Sequence, residues 1–395
     1  MKIAIFSDCH CGHAWGEERG EDAFTGLAEA MAMSKGADLV LIAGDLFDSR
    51  IPKPEVFAKV ARSLSVAQNW ESGTRLVDAN LKEKCELPPM RGTPIVAIHG
   101  THERRSKHLI NPVQALEHTG HLLHLHCETV VFDVAGRKVA IHGMSGVPER
   151  YAKDCLVNWN PRPVMGAINI MMLHQSIDPY IYSPLEPPSL KLEDMPSGFD
   201  LYVLGHMHWS DSKRFRGTNM LVAGSTCTTS IHKIESEQPK AVWFFDGTVV
   251  EKQNLSGQRK IIWREFSFEP DIRQKIEAEL AKLPVADPKP IMAIKVKGTL
   301  PVNAVPPNFA DIEERFSDRA IININKALQA EGFAEQLELL AALKATKMSP
   351  EEIGMQLLAE NLKQASCGIK AEEIFELLVD GQSDVIFNAL IGVQK

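Results

Sequence analysis

Ile3-Ala4-Ile5-Phe6-Ser7-Asp8-Cys9-His10 is an apolar run of strand length that turns polar within two residues and ends in a carboxylate and an imidazole. The same construction returns along the chain. Leu39-Val40-Leu41-Ile42-Ala43 leads into Gly44-Asp45-Leu46-Phe47-Asp48, and Ile95-Val96-Ala97-Ile98-His99 leads into Gly100-Thr101-His102-Glu103. Residues 168–173 lead to His174-Gln175, and residues 201–204 to Gly205-His206-Met207-His208. Short apolar runs bounded by turn residues read as buried strands. Between the first three, residues 21–35 place Phe24, Leu27, Ala28 and Met31 at helical spacing, and residues 55–65 do the same with Val56, Phe57, Val60, Ala61 and Leu64. This βαβα rhythm predicts a sheet covered by helices, with ligand-bearing groups gathered where strands end.

From Glu128 the pattern shifts to short strands, predicted at 129–134, 138–142, 168–173, 201–204, 220–223, 241–245 and 248–252, with Asp246-Gly247 as a hairpin turn. Two sheets packed face to face between helices accommodate them. Trp70 to Gly92 is polar, lacks a clear period and reads as an insertion between elements. The proline-rich stretch from Pro284 to Pro307 reads as a domain boundary. A strand at 291–296, a helix at 309–316 and a strand at 320–324 predict a small α/β domain there. Residues 335–345 and 371–378 predict helices, and Ser349-Pro350-Glu351-Glu352 is a helix start with its cap, proline and acids in order. Phe375, Leu377, Leu378, Val385, Ile386, Leu390 and Ile391 make an apolar tail that either packs on the chain's own core or docks a partner. The expected domains are 1–265, 266–330 and 331–395.

The chain has 395 residues, 44% of them hydrophobic and 24% charged, which suits a globular α/β protein of more than one domain. No run approaches the ~20 apolar residues of a membrane span, and the N-terminus reads as a strand rather than a signal peptide. Seven scattered cysteines argue against a disulfide framework and suit a reducing cytoplasm. Cys9-His10-Cys11 invites a structural-zinc reading, but adjacent residues of an extended segment point to opposite sides and no second cysteine pair exists. A net charge of −8 disfavours binding nucleic acid by bulk charge, so any such binding rests on local patches.

The ordered Asp8, His10, Asp45, His102, His174, His206 and His208 point to one site holding two metal ions. Two divalent ions a few ångström apart clamp a phosphoryl group, with a carboxylate bridging them and neutral imidazoles filling the other positions. Asp45, set after a glycine, is placed to bridge. Mixed imidazole and carboxylate ligands suit manganese, iron or zinc better than magnesium or calcium. His13, His99, His118, His121, His124, His126, His142 and His232 lack this context and are expected to be structural.

The set Asp-x-His, Gly-Asp, Gly-x-His-Glu, His and Gly-His-x-His resembles the calcineurin-like metallophosphoesterase superfamily over about residues 1–255. Gly44-Asp45-Leu46-Phe47-Asp48 with Pro52 and Pro54 is similar to the nuclease branch. So is Gly224-Ser225-Thr226 with Glu235, Glu237 and Pro239-Lys240. The nearest resemblance is to the meiotic recombination eleven type of DNA double-strand-break repair nuclease, in its archaeal form. It implies a two-sheet αββα sandwich with a small α/β capping domain and a C-terminal helical segment. It also implies a first ion, most readily Mn2+, on Asp8, His10, Asp45 and His208, and a second on Asp45, His174 and His206. His102 would assist the leaving oxygen and Glu103 would orient it. DNA would be the substrate, for exo- or endonuclease action, with Arg104, Arg105, Lys107, Arg214 and Arg216 as candidate phosphate contacts. A coiled-coil, SMC-like ATPase would bind the C-terminal helices, and the phosphoesterase domain would homodimerise.

One position departs from the pattern. Thr101 stands where the family has an asparagine whose carbonyl serves the second ion, and a neutral hydroxyl is a shorter and poorer donor. A weakened second ion, or a non-catalytic scaffold subunit, is the corresponding expectation. A phosphodiesterase of nucleotides or other small phosphoesters is the rival enzyme, and the acidic charge favours it.

Overall fold

The computed structural model describes residues 1–81, 91–106, 108–181, 189–300, 305–330, 354–355, 358–359, 362 and 370–379. The chain divides into two compact units, Met1–Trp263 with Val285–Ala293 and Arg319–Ile321, and Arg264–Pro284 with Ile294–Asp318 and Ile322–Lys395.

The first unit opens with β1 (Ile3–Phe6), α1 (Asp22–Met33), β2 (Leu39–Ala43), α2 (Pro54–Ser65) and β3 (Arg75–Asn80). There follow β4 (Ile95–Ile98), α3 (Pro112–His118), β5 (Leu123–His124), β6 (Glu128–Val134), β7 (Arg137–Met144), α4 (Glu149–Trp159) and β8 (Ile168–His174). Two short strands, β9 (Ile177–Asp178) and β10 (Leu190–Lys191), precede β11 (Leu201–Gly205), β12 (Asp211–Phe215) and β13 (Thr218–Val222). The short α5 (Lys233–Glu237), β14 (Ala241–Phe245) and β15 (Val250–Asn254) complete the set.

One sheet runs β15-β14-β1-β2-β4-β5 and the other β12-β13-β11-β8-β7-β6-β3. β1, β2, β4 and β5 are parallel, as are β7, β8, β11 and β13. Alternation sorts the side chains. Ile3, Ile5, Leu39, Leu41, Val96 and Ile98 share a buried core with Phe132, Ile141, Ile170 and Val203 of the second sheet. Ala4, Phe6, Val40 and Ile42 face the opposite way, onto Phe24, Leu27 and Met31 of α1 and Val56, Val60 and Leu64 of α2. Met171, Leu173, Tyr202 and Leu204 meet Ala152 and Leu156 of α4 on the outer face of the second sheet. The architecture is therefore helix, sheet, sheet, helix, and strands buried on both faces read as continuous apolar runs.

Local chemistry explains the ends. α2 begins at Pro54 with Glu55 in its first turn and Arg62 in its last, matching the helix dipole. α3 carries a capping box, with Asn111 Oδ1 accepting the Gln114 N–H at 2.9 Å and Gln114 Oε1 accepting the Asn111 N–H at 3.0 Å. Two expectations are corrected. Part of the supposed insertion at 70–92 is β3, an exposed edge strand paired with β6, and its polarity follows from that exposure. The hairpin after β14 is also longer than a two-residue turn. Asp246 Oδ1 accepts the N–H groups of Thr248 and Val249 at 2.7 and 2.8 Å, so β15 starts at Val250 rather than at 248.

β16 (Ile261–Ser267), β17 (Ile291–Leu300) and β18 (Ile321–Ala330), each of which begins in the first unit and continues into the second, form a three-stranded sheet. α6 (Ile272–Ala281) buries Ile272, Ile276 and Leu280, and α7 (Ala310–Arg315) buries Ile312. A helix at Ala371–Val379 buries Ala371 and Ile374 beside Leu362. The expected helix at 335–345, the helix start at 349–352 and the apolar positions beyond 379 lie outside the described residues. No helix among the described residues is long and apolar enough to cross a membrane.

Candidate metal centre

Each of the seven principal candidates lies at or just beyond the carboxyl end of a parallel strand. Asp8 and His10 follow β1, Asp45 follows β2, His102 follows β4, His174 ends β8, and His206 and His208 follow β11. Asp8, His10, Asp45 and His206 have φ of 52, 47, 46 and 82°, the left-handed region. A non-glycine residue there costs on the order of 1–3 kcal/mol and persists only where its surroundings over-determine it. Close approach also explains the motif glycines. A Cβ on Gly44 (φ 100°) would sit 2.2 Å from His174 Nδ1, and one on Gly100 would sit 2.1 Å from Asp45 Oδ1.

The side chains form two adjoining groups. Ligand-capable atoms of Asp8, His10 and His208 lie within 4.8 Å of one another, and so do those of Asp45, His174 and His206. His10 Nε2 faces His208 Nε2 at 3.0 Å, and His174 Nε2 faces Asp45 Oδ2 at 3.0 Å. The opposite ring nitrogens are engaged elsewhere: His10 Nδ1 on Asp48 Oδ1 at 3.0 Å, His208 Nδ1 on Thr229 Oγ1 at 3.0 Å and His174 Nδ1 on the Ala43 carbonyl at 2.8 Å. A histidine whose Nδ1–H is held by an oxygen turns an Nε2 lone pair to the other side, the arrangement of a metal-ligating imidazole. Two such lone pairs 3.0 Å apart repel unless a proton or a cation lies between them. The donor set thus fits divalent cations.

Electrostatics agree. Burial, helped by neighbouring Asp45, pushes the Asp8 carboxyl up to about 6. Burial opposes charge on His174, yet Asp45 and Asp8 outweigh it and push that imidazole up to about 10. Burial and the charge of His10 press His208 down to about 2, while burial and His174 press His206 down to about 4. The buried carboxylates here call for positive charge, and His206 and His208 stand ready as neutral donors, while His174 holds a proton that an arriving ion would displace.

His102 sits at the rim with 47% of its side chain exposed, its Nδ1 3.1 Å from the Asp48 carbonyl oxygen. Glu103 is fully buried, and burial pushes its carboxyl up to about 8. Its oxygens accept the N–H groups of Phe47 and Gly100, each at 2.8 Å. Glu103 thereby ties the β2 and β4 loops together through their main chains. Thr101 Oγ1 donates to Asp45 Oδ2 at 3.2 Å. Cys9 and Cys11 are buried in the helix-side core, and no group of three ligand-capable side chains among the described residues includes either of them.

The basic candidates separate. Arg104 and Arg105 line a cavity of ≈ 360 Å³ beside the His102 loop, and Arg104 Nη1 is buried without a partner among the described residues. Lys107 lies outside the described residues. Arg214 pairs with Asn219, which also pairs with Leu201, so it sits at the level where β11 begins, not where His206 and His208 follow its end. Arg216, one residue beyond β12, binds the carbonyl oxygens of Met195 and Glu193. Both arginines follow His208 closely in sequence but are carried away by β12, which runs antiparallel to β13. Sequence reasoning assigned no role to Asp48, although the quoted motif contains it, and missed Thr229, whose surroundings carry no pattern.

The profile of the calcineurin-like phosphoesterase family matches residues 1–210. A DNA double-strand break repair protein Mre11 of Methanopyrus kandleri is 29% identical over 258 residues, covering 60% of this chain and 51% of that one. The Sulfolobus acidocaldarius protein of that name is 26% identical over 320 residues, 76% of each chain. The Thermoplasma acidophilum protein is 26% identical over 317 residues, 76% of this chain and 78% of that one. The chain therefore spans about half the length of the first relative and about three quarters of the other two.

Proposed function

The chain belongs to the calcineurin-like phosphoesterase family, and from that premise we propose that it is a two-metal DNA phosphodiesterase, the nuclease subunit of a double-strand-break repair complex. The observation that carries this is the convergence of Asp8, His10 and His208 with Asp45, His174 and His206 beside an exposed His102. Asp8, His10, Asp45 and His208 would hold one divalent ion; Asp45, His174 and His206, with Thr101 alongside, would hold the other. Mixed imidazole and carboxylate ligation suits manganese, iron or zinc, and the family resemblance favours Mn2+ among them. Bound there, the two ions supply Lewis-acid charge at phosphorus and activate water.

The chain's own residues do the rest. Asp48 fixes the His10 ring from one side and offers its carbonyl to His102 Nδ1 from the other. That leaves His102 Nε2 turned outward, where it can give a proton to the leaving oxygen or stabilise its charge. Glu103 positions the loop that carries it. Arg104 and Arg105 are the proposed phosphate contacts, giving sequence-independent binding that weakens with salt. The relatives' names support DNA as the substrate. By the same resemblance, residues 331–395 would bind an SMC-like coiled-coil ATPase, residues 266–330 would form a separate small domain, and the first domain would homodimerise in the cytoplasm.

A second reading, hydrolysis of small phosphoesters, draws on the net charge of −8. Hydrolysis of single- and double-stranded DNA beside bis(p-nitrophenyl) phosphate, with Mn2+, decides between them. Turnover of the small ester with DNA left intact would replace the nuclease reading.

A further inference from the structure

We propose that His126, Cys127 and Cys155 form a second cation site, apart from the centre above, that takes a thiophilic divalent ion of the zinc class. Cys127 Sγ and Cys155 Sγ lie 3.4 Å apart, and together with a ring nitrogen of His126 all three ligand atoms fall within 4.8 Å of one another. An ion bonded at about 2.3 Å to each sulfur holds two tetrahedral thiolates about 3.8 Å apart. A disulfide needs the sulfurs at about 2.05 Å. The observed 3.4 Å is far from a disulfide and about 0.4 Å short of the ion-bridged distance, a gap that a small side-chain rotation closes as the thiols lose their protons.

The three residues come from different elements. His126 and Cys127 occupy the turn from β5 to β6, and Cys155 lies on α4. Cys127 has a φ of 55°, a left-handed conformation that cysteine seldom adopts, and in it its sulfur faces that of Cys155. Glu128 accepts the His126 N–H at 3.4 Å, fixing the turn. The three residues line a cavity of ≈ 550 Å³ shared with Glu117, His118, His124 and Glu128. A cation can enter through it, and its wall offers a carboxylate or water for the fourth position. Binding replaces the thiol protons, so two protons leave as the ion arrives.

This site does not depend on the nuclease reading, and no cysteine belongs to the two-metal groups. It does lie close in structure to the catalytic loop. The His99 ring packs against His124 at 5.1 Å and His126 at 5.4 Å between centroids, and Gly100-Thr101-His102 follows directly in the chain. An ion joining the β5–β6 turn to α4 would stiffen the wall against which that loop starts.

Cobalt substitution tests the site without relying on activity. Full-length protein, reduced and stripped with chelator, is titrated with Co2+ while near-ultraviolet absorption is followed, and zinc content is measured in parallel. The expected result is a thiolate-to-cobalt charge-transfer band and about one more equivalent of zinc than in Cys127→Ser/Cys155→Ser. His174→Ala, altered only in the first centre, should keep the band. The wild-type spectrum needs no variant to fold. Absence of the band, or equal zinc content in wild type and the double variant, would overturn the proposal. Thiols at these positions that resist alkylation until a reductant is added would also overturn it, in favour of a disulfide pair.

Discussion

Thr101 Oγ1 donates to Asp45 Oδ2 at 3.2 Å, the same oxygen that faces His174 Nε2 at 3.0 Å. The hydroxyl therefore spends its proton on the carboxylate best placed to bridge two ions, and presents one weak neutral donor to the second. Thr101→Asn should supply an amide carbonyl and tighten the weaker ion by about tenfold, the scale of adjustments around a metal site. Calorimetric titration with Mn2+ measures it, beside the metal dependence of hydrolysis. If neither affinity nor activity changes, Thr101 does not limit the second ion.

Gly44→Ala should damage the Asp45 group. The added Cβ meets His174 Nδ1 at 2.2 Å, and the φ of 100° disfavours any side chain. His174 must then leave the Ala43 carbonyl and turn its lone pair away. The expected outcome is a folded protein that retains roughly half the metal of wild type, counted by elemental analysis. Full metal content would show that the ring has room the geometry denies.

Glu103 accepts from two main-chain donors, the N–H groups of Phe47 and Gly100. Glu103→Gln leaves the Phe47 or Gly100 N–H facing an NH2 group, an unsatisfied buried donor worth about 1–3 kcal/mol. Urea denaturation in chelator should show a lower midpoint with an unchanged slope. An unaltered midpoint would return Glu103 to a purely catalytic role.

His142 is fully buried between Thr129 Oγ1 and Asn169 Oδ1, and burial lowers its pKa below the ordinary value. The folded state thus takes up this proton at a lower pH than the unfolded chain, whose histidine titrates near about pH 6.5. Stability is consequently lost as pH falls through that value, by at most about 1.4 kcal/mol per unit for one proton. Comparing thermal midpoints at several pH values isolates the effect, because His142→Gln removes the titration. The gap between wild type and variant should change steadily below about pH 6.5; a gap independent of pH would contradict this assignment.

Much of the site was legible because its chemistry is written in short motifs at strand ends. Asp8, Asp45, His174 and His206 each follow an apolar run that could only be a buried strand, and parallel strands deliver their ends to one edge. Pairings between distant parts of the chain were not legible. Nothing in Arg214 or Arg216 reveals that β12 reverses direction and removes them from the site. β3 is polar because one side of it is an open edge, so its composition resembled that of a loop. α4 buries little beyond Ala152 and Leu156, too sparse a stripe to stand out, yet it brings Cys155 to Cys127. Histidines 99, 124 and 126 were expected to be structural one by one; their shared cavity is a property of the fold.

The central claim is a two-metal centre that cleaves DNA with help from His102. Its most direct measurement is Mn2+-dependent cleavage of labelled single- and double-stranded DNA by wild type and His102→Ala, with bound metal counted on the same samples. The expected result is two ions in both proteins and cleavage lowered about 10²–10⁴-fold in the variant. Equal cleavage by His102→Ala, or an inert wild type with both ions bound, would contradict it.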